Sequence, residues 1–197
     1  MLDRRIDRAL AERRIVGAVV LVVRNGELAY SRAAGQADRE AGKAMTTDAV
    51  FRLSSVTKPI VAAAVLALVD RGDLALDAPV SGWLPDFQPK LADGSAPPIT
   101  IAQLLTHTSG LGYGFLQPEG GPYLAAGVSD GLADPDLPMA EELKRLASVP
   151  LFFPPGAAWL YSLSLDVLGA AIEQATGKPL PRAVEELTVS ATSGRRA

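Results

Sequence analysis

The sequence predicts an α/β protein in which an N-terminal helix and an antiparallel hairpin precede a mostly helical remainder. Three observations carry this. Residues 2–15 place apolar side chains at 2, 6, 9, 10 and 15 among charges, the spacing of an amphipathic helix. Residues 17–23 are apolar and β-branched, Asn25-Gly26 supplies the two-residue hairpin signal, and a second strand resumes over 28–33. Beyond position 58 the apolar runs are helical and end at glycines: 59–69 leads into Arg71-Gly72, and 165–175 closes at Gly177.

The remaining segments follow from punctuation. Residues 35–50 are rich in glycine and charge and read as loop, as do 73–89 around Trp83-Leu84-Pro85. Thr100 is placed to cap a short helix over 100–106. Residues 110–138 hold many of the glycines and prolines and read as one long irregular excursion, a length that is usually functional. Residues 139–147 form a helix with Glu141 and Glu142 early and Lys144 and Arg145 late, matching the helix dipole. Pro154-Pro155-Gly156 marks a turn. Neither repeat nor linker interrupts the chain, so 1–197 reads as a single domain with a divergent tail over 188–197.

Composition narrows the function. At 197 residues, 48% hydrophobic and 21% charged, the chain has the make-up of a folded globular protein. A net charge of −3 without a basic stripe argues against nucleic acid. No apolar run is long enough for a membrane span, and the charged N-terminus lacks a secretory core, so the expected location is cytoplasmic. Cysteine is absent, which excludes disulfides and thiolate chemistry. The single histidine, His107, excludes a site of two or three histidines. It sits where an apolar helix runs into Ser109-Gly110, a setting in which histidine satisfies backbone carbonyls or the helix C-terminus.

Ser55-Val56-Thr57-Lys58 carries the chemistry. Positions i and i+3 share a helix face, so the hydroxyl and the amine can meet. A serine needs a neighbouring base, and a lysine serves once burial lowers its pKa. With 12 Ser and 5 Lys, chance supplies about 0.3 such tetrapeptides, so the motif alone is weak. In the structural alternative Ser54 or Ser55 caps the helix and Lys58 is a solvated first-turn residue. An ammonium there opposes the helix dipole.

Taken together, Phe51-Arg52-Leu53-Ser54-Ser55-Val56-Thr57-Lys58, Leu104-Leu105-Thr106-His107-Thr108-Ser109-Gly110-Leu111, Phe153-Pro154-Pro155-Gly156 and the stretch from Tyr161 to Gly169 resemble the serine β-lactamase-like hydrolases. These include class C β-lactamases, penicillin-binding peptidases and, nearest, the family VIII carboxylesterases. The resemblance implies a β-lactamase-like α/β fold, a small-molecule ester or β-lactam substrate, and no metal or cofactor. Ser55 matches the acylated nucleophile. Lys58 matches the lysine beside it that helps remove the hydroxyl proton. Tyr161 matches a tyrosine that shares the general-base work, as a phenolate favoured by a nearby cation or through a relay.

Two departures follow. Leu163 stands where β-lactamases carry Asn, which points to esters with short or medium acyl chains and to a greasier pocket lined by Leu163 and Tyr113. Family members are roughly twice this long, and no K-T-G or Trp-Gly-Gly equivalent is found, Thr192-Ser193-Gly194 lacking the lysine. The strands that would complete the sheet are therefore expected to be missing, leaving an apolar edge that invites a homo-oligomer. The expected function is a serine carboxylesterase with weak β-lactam hydrolysis. The alternatives are a catalytically impaired binding fragment and a β-lactamase or D-Ala-D-Ala peptidase-like enzyme.

Overall fold

Asn25 and Gly26 both adopt left-handed backbone, φ 53° and 82°, and so form the hairpin turn whose twist matches that of the strands it joins. The structure, a computed structural model, describes residues 1–131 and 137–189. It divides into two units, Met1–Ser54 and the chain from Ser55 onward. The tail with Thr192-Ser193-Gly194 lies outside the described residues.

In the first unit, α1 (Leu2–Ala11) precedes an antiparallel sheet of β1 (Gly17–Arg24), β2 (Glu27–Asp38) and β3 (Lys43–Ala44) in that order. The helix ends earlier than its apolar spacing suggests, because Arg13 turns left-handed at φ 55°. Arg32 on β2 pairs with Asp3 and Asp7 of α1, and the Tyr30 hydroxyl donates to Asp3 Oδ1 at 2.7 Å. The region read as loop over 35–50 contains the end of β2 and all of β3. Gly35 to Asp38 has no strand-forming side chains; the ladder to its neighbours, Gly17 opposite Gly35 and Gln36 opposite Ala44, imposes the extended backbone. Among the described residues β1 pairs along one edge only, and Leu21, Val23 and Leu28 remain 57%, 64% and 61% exposed.

The second unit is helical: α2 (Thr57–Arg71), α3 (Ile101–Leu105), α4 (Pro122–Ala125), α5 (Met139–Ser148), α6 (Ser164–Thr176) and α7 (Leu180–Val184). Its core joins Val61, Val65 and Leu68 of α2 to Val167, Leu168 and Ile172 of α6, with Ile101 and Leu104 of α3 between other buried residues. Both long helices stop as read, at left-handed Gly72 and Gly177. Thr100 caps α3 in a reciprocal capping box with Gln103. The loop over 73–99 is more ordered than its composition suggests. Its Leu74, Val80, Leu84 and Phe87 are buried, and its carbonyls of Leu76 and Ala78 accept the first N–H groups of α3. Helix α7 and the π-turn Glu185–Val189 also escaped the sequence reading; Pro181 stands in the first turn of α7, where proline is tolerated. Among the described residues no helix is long and apolar enough to cross a membrane.

Candidate active site

Ser55 enters from a tight 3-10 turn, Ser54–Val56, that leads straight into α2. Neither Ser54 nor Ser55 caps the helix; Val56 holds the N-cap position without a side-chain bond. Ser54, immediately before, has φ 47°, a left-handed backbone that costs a non-glycine residue roughly 1–3 kcal/mol and marks a held geometry. Ser55 is exposed, while Lys58 one turn on is partly buried. The Lys58 Nζ donates to Ser55 Oγ at 3.2 Å, as the i, i+3 spacing requires.

Tyr161 arrives from 106 positions further along, and its hydroxyl donates to Ser55 Oγ at 2.7 Å. The residues that hold it there come from two segments laced by backbone bonds. The N–H groups of Phe152, Gly156, Leu160 and Leu163 donate to the carbonyls of Gly110, Thr108, His107 and Gly112, at 2.8, 2.7, 3.0 and 3.3 Å. Gly110 is required at this crossing: its φ is 85°, and a Cβ there would lie 2.3 Å from the Phe153 carbonyl oxygen. The two motifs flanking Pro155 and Ser109 thus act as a clamp beneath the tyrosine.

Lys58 also faces two aromatic rings, its Nζ 5.0 Å from the Tyr161 centroid and 5.6 Å from that of Tyr113. Burial pulls the Lys58 ammonium down, but the Tyr113 and Tyr161 hydroxyls beside it outweigh that and raise its pKa above the ordinary lysine value. The Lys58 pKa thus shifts upward, opposite to the burial-driven lowering that a lysine base would draw on. Tyr161 moves the other way. Burial raises its phenol, yet Ser55 and the Lys58 charge leave it below the usual value. Tyr113 is buried, and burial pushes its phenol up.

The rings form a row. Tyr113 stacks on Tyr161 at 5.6 Å and on Phe115 at 4.7 Å, while His107 lies 4.8 Å from Tyr161 and meets the edge of Trp159 at 6.3 Å. Phe115 and Trp159, at the two ends, are each 66% exposed. Sequence reading missed Phe115, Trp159 and the part played by His107, since single aromatics in loops carry no spacing signal. His107 does cap a helix end, as the left-handed residue after α3, with Thr108 N–H donating to Gln103 O at 2.9 Å. Its ring, however, takes an N–H rather than giving one to a carbonyl: Ser162 N–H donates to Nδ1 at 3.2 Å.

Ser55, Lys58, Tyr161 and Tyr113 therefore converge, all within the second unit. Leu163, expected on the pocket wall with Tyr113, is 3% exposed, belongs to the same buried cluster as Tyr113 and stands at the N-cap of α6. Among the described residues no group of three His, Asp or Glu side chains is placed to hold a metal ion.

A serine gripped by a lysine at i+3 and a distant tyrosine, on a helix that follows an antiparallel sheet unit in sequence, defines the class of serine β-lactamase-like folds. A family model described as Beta-lactamase matches residues 2–191, and the chain belongs to that family. It is 61% identical to Esterase EstB of Burkholderia gladioli over 186 residues, 94% of this chain and 47% of that protein. Among solved structures, it superimposes with a TM-score of 0.92 on EstCE1, described as a hydrolase with promiscuous acyltransferase activity, at 44% identity over 96% of this chain and 50% of that one. Simvastatin synthase (LovD) from Aspergillus terreus matches with a TM-score of 0.74 at 31% identity, covering 96% of this chain and 51% of the other. The chain spans about half the length of the curated relatives it matches.

Proposed function

We propose that this chain carries the acylation site of a serine ester hydrolase acting on small carboxylic esters. The observation that supports it most is the approach of the Tyr161 hydroxyl and the Lys58 amine to one oxygen, Ser55 Oγ, at 2.7 and 3.2 Å. The likeness to an esterase and to a hydrolase points the same way.

In this reading Tyr161 accepts the proton and Lys58 supplies the charge. With the phenol ionised, the bond to Ser55 reverses and the serine hydroxyl donates to the phenolate. Ser55 Oγ then attacks the ester carbonyl carbon and its proton passes to Tyr161. The tetrahedral adduct collapses by breaking the bond to the alkoxide, which takes the proton back from Tyr161. Water repeats the sequence on the acyl-enzyme and releases the acid. Tyr113, buried against Tyr161 and held as a neutral phenol, borders the acyl group; Leu163 acts only by supporting the Tyr161 segment from the core.

The test is intact-protein mass after exposure to a fluorophosphonate, alongside burst release from p-nitrophenyl butyrate. A single adduct and a burst are expected in the 197-residue chain, with both lost in Ser55→Ala. Labelling that survives this substitution removes Ser55 as the nucleophile, and no labelling of the wild-type chain favours a binding fragment.

A further inference from the structure

Beneath Tyr161 lies a line of buried hydroxyls that the acylation chemistry does not use. Ser109, Ser162 and Ser164 are each fully buried. Ser109 Oγ lies 2.8 Å from Ser164 Oγ, which lies 2.7 Å from Ser162 Oγ, which lies 3.1 Å from His107 Nδ1. Three backbone donors fix the direction of this line. Leu111 N–H donates to Ser109 Oγ at 3.2 Å, Ser164 N–H to Ser162 Oγ at 3.4 Å, and Ser162 N–H to His107 Nδ1 at 3.2 Å.

The proton inventory then closes in one way. Because an N–H points at Nδ1, that nitrogen is an acceptor and the ring proton sits on Nε2. Each hydroxyl donates once, from Ser109 to Ser164, from Ser164 to Ser162, and from Ser162 to His107. Every buried oxygen in the line then has a donor. Reversing it would leave the buried Ser109 hydroxyl proton without an acceptor in the line, at a cost of about 1–3 kcal/mol. Burial and the neighbouring Lys58 ammonium also hold the His107 pKa below its usual value. The other groups facing the ring are the phenol of Tyr161, the indole of Trp159 and the hydroxyl of Ser162.

His107 grips the chain on both sides of the tyrosine. Its carbonyl accepts the N–H of Leu160 at 3.0 Å and its ring accepts the N–H of Ser162, while the ring face lies 4.8 Å from Tyr161. We propose that the Ser109–Ser164–Ser162 hydroxyl line fixes His107 as a neutral ring protonated on Nε2, and that His107 is thereby the positioning residue for the Tyr161 phenol. The second half of this statement rests on the reading of Tyr161 as proton acceptor given above.

The sole histidine makes the test unambiguous. In the 197-residue chain labelled with 15N-histidine, NMR at pH 7 is expected to show a pyridine-type Nδ1 and a pyrrole-type Nε2. An imidazolium, or a proton on Nδ1, overturns the lock. The positioning role is read from the 13Cζ signal of Tyr161, assigned by its loss in Tyr161→Phe. His107→Leu removes both ring and acceptor, and the titration of Tyr161 is expected to move back toward the ordinary phenol value near 10. His107→Asn keeps a side-chain acceptor and tolerates the left-handed backbone, so it is expected to restore part of the shift and to serve if the leucine variant does not fold. A Tyr161 titration unchanged in the asparagine variant and in any folded leucine variant overturns the role. These signals need no turnover, so a chain that fails to label at Ser55 would sink the esterase reading alone. If it does label, His107→Leu is expected to slow labelling by about tenfold or more, the scale of a misplaced catalytic group.

Discussion

The two units treat their apolar residues in opposite ways. In the sheet unit, Ile6 alone of the large hydrophobics is buried, while Leu21, Val23 and Leu28 are exposed and, among the described residues, β1 is paired on one side. In the helical unit, α2, α3 and α6 close over a core of fully buried side chains, Leu68, Ile101, Leu104, Leu168 and Ile172 among them. Ser55, Lys58, Tyr113 and Tyr161 all stand on the unit that has its own core. The difference teaches that the convergence of these four side chains draws on helix packing and a local backbone clamp, whereas the sheet unit carries exposed apolar surface.

The largest expected effect falls on the chemistry. Tyr161→Phe keeps the stacked ring and removes the hydroxyl, so the fluorophosphonate labelling rate of the chain is expected to fall about 100- to 10,000-fold, with the melting temperature nearly unchanged. An equal loss of stability would mean that the hydroxyl serves packing instead.

Next come the cores. Ile172→Ala in α6 is expected to destabilise the chain by about 2–5 kcal/mol in urea unfolding, since it empties a fully buried site. Leu163→Asn sets an amide in the same core and is expected to cost about 1–3 kcal/mol by the same measurement. A stable Leu163→Asn with a changed ester preference would return that residue to the pocket wall.

On the sheet unit the effects reverse in kind. Val23→Thr and Leu28→Thr are expected to shift stability by no more than about 0.5 kcal/mol, because those side chains are already in water. Size-exclusion at rising concentration should show self-association of the parent chain that Val23→Lys diminishes; a parent that elutes as a monomer throughout would mean that the exposed strand face is tolerated as it stands.

A pH profile sharpens the division of labour within the site. In the proposed mechanism acylation needs Tyr161 ionised and Lys58 charged. The Tyr161 pKa is lowered and that of Lys58 raised, so the labelling rate should climb with pH below the ordinary phenol value near 10 and decline only above the ordinary lysine value. A rate that already falls between pH 7 and 9 would argue for a neutral lysine as the base.

The sequence by itself determined the local structure. Asn25-Gly26 set the hairpin, Gly72 and Gly177 ended the long helices, Thr100 with Gln103 began α3, and the i, i+3 spacing placed Lys58 against Ser55. Each of these depends on bonds or torsions within a few residues, which propensity and periodicity report directly. The four motifs also named Tyr161 through their resemblance to a family, although nothing local to Tyr161 distinguishes it from a packed aromatic. Only the tertiary structure decided the rest: β3 and the extension of β2, the burial of Leu163, the upward pKa shift of Lys58, and the hydroxyl line from Ser109 to His107. Those depend on partners about fifty or a hundred positions away along the chain, and on water excluded by the folded whole, so no window of sequence contains their cause.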